Sequence, residues 1–384
     1  MMKILVVTLF SVLAMAPFGR LNAQITAAIK GLGNDTVYIW KYPLANIKDM
    51  HKDTLIANNN MFTYPVSTEP TAYAIIPHKA VYKRSDGSFY VAQTKFIELF
   101  SLPDEQITIE GELEERYLDY KTSGNDVSRK LAQFRTSYKT PSIEAVKIEL
   151  KMDSMRENGG IEDQINELFH TRQQYFGKIA QAKTDYVNNN FDQDLSAYLI
   201  SRFSLEKFAT YYPKLTTDIR NGMFRDVLEN SYRNYQKFNA VKLAEETLNI
   251  GNDAPHFELK DNHGKVVSLS DFEGKIIVLE FWGTWCPPCL EEIPKLKSFY
   301  EKNKKNIVFV GIACNEKKEE WNAAIRDYNL EWPQLINSDK DDVAIMYGIT
   351  TYPTKIVIDK NLKIVKRFVG ATEDFFAEIQ DLMK

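Results

Sequence analysis

Cys286 and Cys289 stand three positions apart in Trp285-Cys286-Pro287-Pro288-Cys289. An apolar run over residues 276–282 leads into them, and a helical pattern, Leu290-Glu291-Glu292-Ile293-Pro294-Lys295-Leu296, follows. Two thiols at this spacing on the first turn of a helix can close a disulfide and open it again. A helix N-terminus offers unpaired N–H groups and a partial positive charge. That field favours a thiolate at Cys286, the species that attacks disulfides. Pro287 and Pro288 suit a helix start, because their missing N–H groups would have had no intrahelical partner. A zinc site needs about four ligands. The chain has one other cysteine, Cys314, and no histidine close in sequence to the pair. An inert structural disulfide fits poorly, since so small a ring constrains little of the unfolded chain. The strand-to-helix placement is the redox one. The chemistry expected is thiol–disulfide exchange, with no metal and no cofactor.

Phe281-Trp282-Gly283-Thr284-Trp285-Cys286-Pro287-Pro288-Cys289 resembles the active site of thioredoxin-fold proteins. It is similar in particular to the TlpA/ResA-like thiol–disulfide oxidoreductases of the bacterial cell envelope. The resemblance covers residues 250–384 and is carried by several separate positions. Glu280 stands six residues before Cys286, where thioredoxins have a buried acid. Pro294 stands eight residues after it, where their active-site helix is kinked. Tyr352-Pro353-Thr354 matches the cis-proline motif that faces the disulfide. The resemblance implies an α/β thioredoxin-like fold for this segment. It implies client proteins with disulfides, apocytochrome c among them, and a membrane thiol reductant as electron donor. It places Trp285, Pro287, Pro288, Tyr352, Pro353 and Thr354 on the client-binding side.

In the expected reaction Cys286, the exposed nucleophile, forms a mixed disulfide with the client, and Cys289 resolves it. Cys289 needs a proton acceptor. Glu280 is the candidate, because it sits among the core types Leu279 and Phe281 in an apolar strand. Burial raises a carboxyl pKa towards the working pH, as a general base requires. The alternative places Glu280 at a solvated strand end. A glutamate at this position, in place of the usual aspartate, lengthens the side chain by a methylene. The same residues serve a reductase, an oxidase or an isomerase, depending on potential and partners. A peroxidase would carry a Thr or Ser three residues before the nucleophile and a Pro seven before; here Gly283 and Leu279 stand there. A non-enzymatic binding module, in which the thiols only crosslink, is the remaining class.

The chain is 384 residues long, with 44% hydrophobic and 26% charged residues, enough for two or three domains. A formal net charge of -4, without a basic tract interleaved with aromatics, excludes a nucleic-acid role. Met1-Met2-Lys3, the apolar run over residues 4–16 and the small residue Ala23 read as a secretory signal peptide over residues 1–23. The run is too short to span a bilayer, and no cysteine near the cut offers a lipid anchor. The expected location is the periplasm, where disulfides form. Cys314 ends the apolar run over residues 307–313 and reads as a small buried hydrophobe.

Three segments must position this site. Residues 24–118 read as a β-rich domain, a small sandwich or barrel, with a hairpin signal at Asn58-Asn59-Asn60 and a turn at Ser85-Asp86-Gly87. They resemble the small β domain that often precedes thioredoxin-like domains in exported proteins. Residues 124–247 read as helical, over 127–137, 143–156, 161–189, 195–211 and 223–241. Breaks are expected at Thr140-Pro141, Asn158-Gly159-Gly160, Asn188-Asn189-Asn190 and Tyr212-Pro213. This region suits a spacer, a client-binding surface or a homo-oligomer contact. From residue 250 strands and helices alternate, as a parallel α/β sheet requires. Two hairpins, at Asp261-Asn262-His263-Gly264 and Asp359-Lys360-Asn361, lie within that segment.

Overall fold

The computed structural model describes residues 23–84, 86–338, 342–372 and 374–383. The expected signal segment, up to residue 22, lies outside the described residues. The chain divides into two compact units, one ending at Tyr232 and the other starting at Arg233.

The first unit opens with ten strands: β1 (Gln24–Lys30), β2 (Thr36–Pro43), β3 (His51–Ile56), β4 (Met61–Pro65), β5 (Thr71–Pro77), β6 (Val81–Lys83), β7 (Phe89–Val91), β8 (Ile97–Ser101), β9 (Ile107–Leu113) and β10 (Leu118–Thr122). Eight of them form two four-stranded sheets, ordered β10-β9-β1-β4 and β3-β2-β5-β8. Alternation decides the inner faces. Ile25, Ala27, Ile29, Ile107 and Ile109 of one sheet meet Val37, Ile39, Ile75, Ile97 and Leu99 of the other in one buried core. This is the sandwich expected. The hairpin expected at Asn58-Asn59-Asn60 is not formed: β3 pairs with β2, whereas β4 pairs with β1 in the opposite sheet. Asn59 and Asn60 do take positive φ (50° and 72°), as a tight turn needs. The turn carries the chain across the sandwich because both sheets need their apolar faces covered. Asp86-Gly87 lies in the turn of the β6–β7 hairpin, as read.

Helices α1 (Asp126–Arg135), α2 (Lys139–Glu157), α3 (Glu162–Asn188), α4 (Asp194–Ser201), α5 (Leu205–Tyr211), α6 (Thr217–Arg220) and α7 (Arg225–Thr247) follow. α1 is tied to the sandwich edge by Ser128, whose hydroxyl accepts from Phe100 N–H and donates to its carbonyl, both at 2.9 Å. Two helix boundaries differ from expectation. Pro141 does not break the chain but sits in the first turn of α2, where a missing N–H costs nothing. The single helix read over 195–211 is two, because Ser204 caps a new start at α5 by accepting from Lys207 N–H.

The second unit holds β11 (Glu258–Asp261), β12 (Val266–Ser268), β13 (Ile276–Trp282), β14 (Ile307–Ala313), β15 (Gln334–Ile336), β16 (Thr354–Ile358) and β17 (Ile364–Val369). Its helices are α8 (Pro287–Asn303), α9 (Lys318–Asp327), α10 (Val343–Met346) and α11 (Asp374–Leu382). The sheet order is β12-β11-β15-β14-β13-β16-β17. Only the centre, β13-β14-β15, is parallel. The expected parallel sheet is therefore a mixed one. Short turns at residues 261–264 and 359–361 leave β11–β12 and β16–β17 no choice but antiparallel pairing. β13 divides the core: Ile277, Leu279 and Phe281 point to one face, and Val278 packs on the other against Leu296, Phe299 and Phe375.

The end of α7 belongs to this unit. Glu245 Oε1 accepts from the Thr350 hydroxyl at 3.0 Å, and Leu248 packs on the sheet core. Gly348 has φ +60°, and a Cβ there would lie 2.8 Å from Glu245 N, so the close approach needs glycine. A fragment Arg233–Lys384 is expected to unfold cooperatively in urea. One starting at Ile250 is expected to lose about 1–3 kcal/mol, from the lost burial of Leu248 and one hydrogen bond. Equal midpoints for the two fragments would contradict this.

Candidate active site

The central strand β13 ends at Trp282, and α8 begins five residues on. Cys286 is the N-cap of α8, and Pro287 and Pro288 fill its first two positions. Cys286 and Cys289 are joined by a disulfide, with Cα atoms 5.3 Å apart. Cys289 N–H points at Cys286 Sγ at 3.3 Å. Cys286 Sγ therefore lies at the positive end of a 17-residue helix, a field that favours a thiolate. Pro294 lies within α8, as expected.

Exposure does not separate the two thiols as expected. Cys286 is 4% exposed and Cys289 0%. Both pack among Trp282, Ala313 and Trp321, and Tyr352 closes over the group. The position of Cys286 at the helix cap, not its exposure, distinguishes it. Around it, Trp285 is 47% exposed, and Pro287 and Pro288 are exposed beside it. Trp285 is held by two contacts. Its Nε1 donates to Cys314 O at 2.9 Å, and its ring meets Tyr352 edge-on at 5.1 Å. A Cβ on Gly283 would lie 2.4 Å from that Nε1, so only glycine lets the indole fold back there. Thr284 is anchored in turn, its backbone N–H and hydroxyl both donating to Glu316.

The Tyr352–Pro353 peptide is cis. Pro353 O accepts from Gly370 N–H at 2.8 Å, and the Thr354 hydroxyl donates to Thr351 O at 2.7 Å. Tyr352 thus reaches both Trp285 and the cysteine cluster. Pro353 and Thr354 are themselves buried. Cys314 is 1% exposed, and burial pushes its thiol up to about 12. It is a buried hydrophobe at ordinary pH, as read from the sequence.

Glu280 is 4% exposed in the middle of the sheet, which excludes the solvated alternative. Strand alternation puts it on the same side of β13 as Val278 and Trp282, the side covered by α8. Burial pushes its carboxyl up to about 7, against the pull of Lys355; Glu292 adds to the rise. Lys355 and Glu292 are two residues the sequence reading did not single out. Lys355 is the register partner of Glu280 on β16 and is fully buried. Its Nζ lies 2.5 Å from Glu292 Oε2 on α8 and 5.0 Å from the Phe375 ring centre. Three ionisable groups therefore share one dry space beneath the cysteine helix. The signals were present: Glu292 follows Cys289 by three residues, which places both on one helix face, and Lys355 interrupts an apolar strand.

The raised Glu280 carboxyl has a consequence for stability. The folded protein keeps this proton up to about 7, whereas the unfolded chain releases it near the ordinary 4.5. Stability is therefore full below the lower value and falls as pH rises through that window. A shift of this size corresponds to about 3 kcal/mol. Glu280→Gln is expected to flatten the decline between pH 5 and pH 8 in urea titrations. A wild-type protein equally stable at both ends would contradict the assignment.

The chain is similar to several known proteins. The AhpC/TSA family profile matches residues 250–367. The thiol-disulfide oxidoreductase ResA of Bacillus subtilis is 34% identical over 152 residues, covering 39% of this chain and 84% of the relative. ResA of Bacillus thuringiensis subsp. konkukian is 35% identical over 127 residues, covering 33% of this chain and 73% of the relative. A solved thioredoxin domain of a thiol-disulfide oxidoreductase from Bacteroides vulgatus has 29% identity. It covers 36% of this chain and 100% of its own, with a TM-score of 0.34. These matches concern the C-terminal part; the β and helical regions before it are not assigned by them. With the Cys286–Cys289 pair on a thioredoxin-like sheet, and with these relatives, the chain belongs to the ResA-like thiol-disulfide oxidoreductases.

Proposed function

We propose that this protein is an exported reductant of protein disulfides, supplied with electrons by a membrane thiol reductant. Apocytochrome c is one client class. The observation that carries the reading is the Cys286–Cys289 disulfide at the cap of α8, rimmed by exposed Trp285, Pro287 and Pro288. In the reaction, the Cys286 thiolate attacks a client disulfide. The client S–S bond breaks, one client thiolate leaves, and a Cys286–client disulfide forms. Cys289 then passes its proton to Glu280 and attacks Cys286 Sγ. The mixed disulfide breaks, the client leaves as a dithiol, and the pair has lost two electrons. An acid titrating near 7 suits both halves of this cycle, since it accepts a proton in one direction and returns it in the other.

Glu280→Ala is expected to fold but to slow release of the mixed disulfide, most strongly near neutral pH. Such general-base losses are about 10²–10⁴-fold. A rate unchanged between pH 6 and pH 8 would remove Glu280 from the relay. The direction of electron flow is tested by trapping thiols in intact cells. A largely reduced Cys286–Cys289 pair supports the reductase; a largely oxidised one supports an oxidase. Sequencing the N-terminus of the protein recovered from an osmotic-shock fraction tests export, with Gln24 as the expected first residue.

A further inference from the structure

Along its 27 residues α3 buries only Ile165 and Val187. A helix of this length usually rests a continuous apolar stripe on its neighbours. Here the stripe of Arg172, Phe176, Ile179, Ala180 and Lys183 lines a cleft of about 600 Å³ within the first unit. Small-molecule sites have volumes of about 300–1,000 Å³. The opposite walls come from the β7–β8 region (Tyr90, Thr94, Phe96), from Arg135 at the end of α1, and from Arg202 and Lys207 around α5.

The charges in this cleft do not balance. Five cations line it: Arg135, Arg172, Lys183, Arg202 and Lys207. Two carboxylates face them, Glu98 and Glu149. Glu149 is engaged by Arg84 and Arg172. Glu98 is engaged by the Tyr198 hydroxyl and, at 3.3 Å, by Arg202. Arg135, Lys183 and Lys207 have no carboxylate within ion-pair distance among the described residues. Arg135, 7% exposed, lies 4.8 Å from the Tyr120 ring centre and 5.6 Å from that of Tyr117, bonds to the Tyr120 side chain, and makes long contacts, 3.4 and 3.5 Å, to the carbonyls of Gln93 and Thr94. Lys183 lies 5.9 Å from the Tyr138 ring centre, and burial pushes its ammonium group below the usual lysine range. Lys207 donates to the Thr184 hydroxyl and sits 4.3 Å from the Phe203 ring centre. Thr94, 3% exposed, keeps a buried hydroxyl with no hydrogen-bond partner. Five cations facing two carboxylates repel one another unless an anion joins them.

We propose that this cleft binds a small planar organic polyanion. Its acidic groups meet Arg135, Lys183 and Lys207, and its flat face lies against the aromatic walls of Tyr90, Tyr138 and Phe176. The first unit is then a ligand-binding module with its own specificity, independent of the thiol chemistry.

The test is isothermal titration of the full-length protein with benzene-1,3,5-tricarboxylate. Saturable binding is expected, weakening as salt rises from about 50 to about 500 mM. Lys183→Met/Lys207→Met retains the apolar stems and is expected to bind at least about tenfold more weakly at an unchanged melting temperature. Lys183→Glu is expected to abolish binding. Arg135→Met is the stronger variant but sits deeper in the fold, so the lysine pair decides if it fails to fold. Uncharged benzene-1,3,5-trimethanol and inorganic phosphate are expected to bind at least about tenfold more weakly than the tricarboxylate. No saturable heat up to about 10 mM, a Kd worth under about 3 kcal/mol, overturns the proposal. So does an affinity unchanged by the lysine pair, or equal binding of either control.

Discussion

Cys289→Ser is expected to accumulate mixed disulfides between Cys286 and client proteins, and Cys286→Ser to accumulate none. Turnover of a small test disulfide should fall by about 10³-fold or more in either variant, because the two thiols act as one unit. The asymmetry rests on position. Cys286 is the cap residue, with a backbone N–H aimed at its sulfur, and the helix field lies on it. Cys289 is within the helix and has no exposed surface. The exposure of Cys286 is small, and Tyr352, which packs on the cysteine cluster and meets the exposed Trp285, is the side chain a client is expected to displace. Trp285→Ala is thus a useful companion, expected to leave exchange with small disulfides intact while weakening capture of protein clients. Gel analysis under non-reducing conditions reads both experiments. Equal trapping by the two cysteine variants would sink the assignment of roles.

Lys355→Met is expected to be among the most damaging single substitutions in the second unit. It leaves Glu292 buried without its partner 2.5 Å away, in a space where neither side chain reaches water. Breaking one half of such a pair costs about 3–5 kcal/mol. For a unit of this size that lowers the melting temperature by about 10 °C. The same change removes a positive charge that restrains Glu280, so the Glu280 carboxyl rises further and the pH profile of thiol exchange moves to higher pH. Adding Glu292→Gln to Lys355→Met should restore much of the stability, because the orphaned charge is gone. A loss below about 1 kcal/mol, the range of a surface pair, would show that the pair is solvated. A rescue of stability without recovery of the pH profile would assign Lys355 to Glu280 chemistry as well as to folding.

What depends on neighbours along the chain could be read from the residues alone. The spacing of Cys286 and Cys289, the prolines at the helix start and the apolar run before them are local, and caps and strand alternation follow from side-chain geometry alone. Glu280 was legible for the same reason: one acid among core residues in a strand has a restricted set of explanations. What depends on which strand lies beside which was legible only in the fold. Asn58-Asn59-Asn60 has the residues of a hairpin turn, yet β3 and β4 part to opposite sheets, because burial of two faces outweighs the pairing that the turn permits. The parallel centre with antiparallel flanks depends likewise on β16 entering beside β13. That same placement brings Lys355 opposite Glu280, and α8 lays Glu292 over both, although the three are scattered over 75 residues. The cleft beneath α3 is the extreme case. Its cations come from four helical segments with mixed charge, which read along the chain as a solvated face. Only the packing of those helices on the sandwich gathers them around one cleft, where five cations meet two carboxylates.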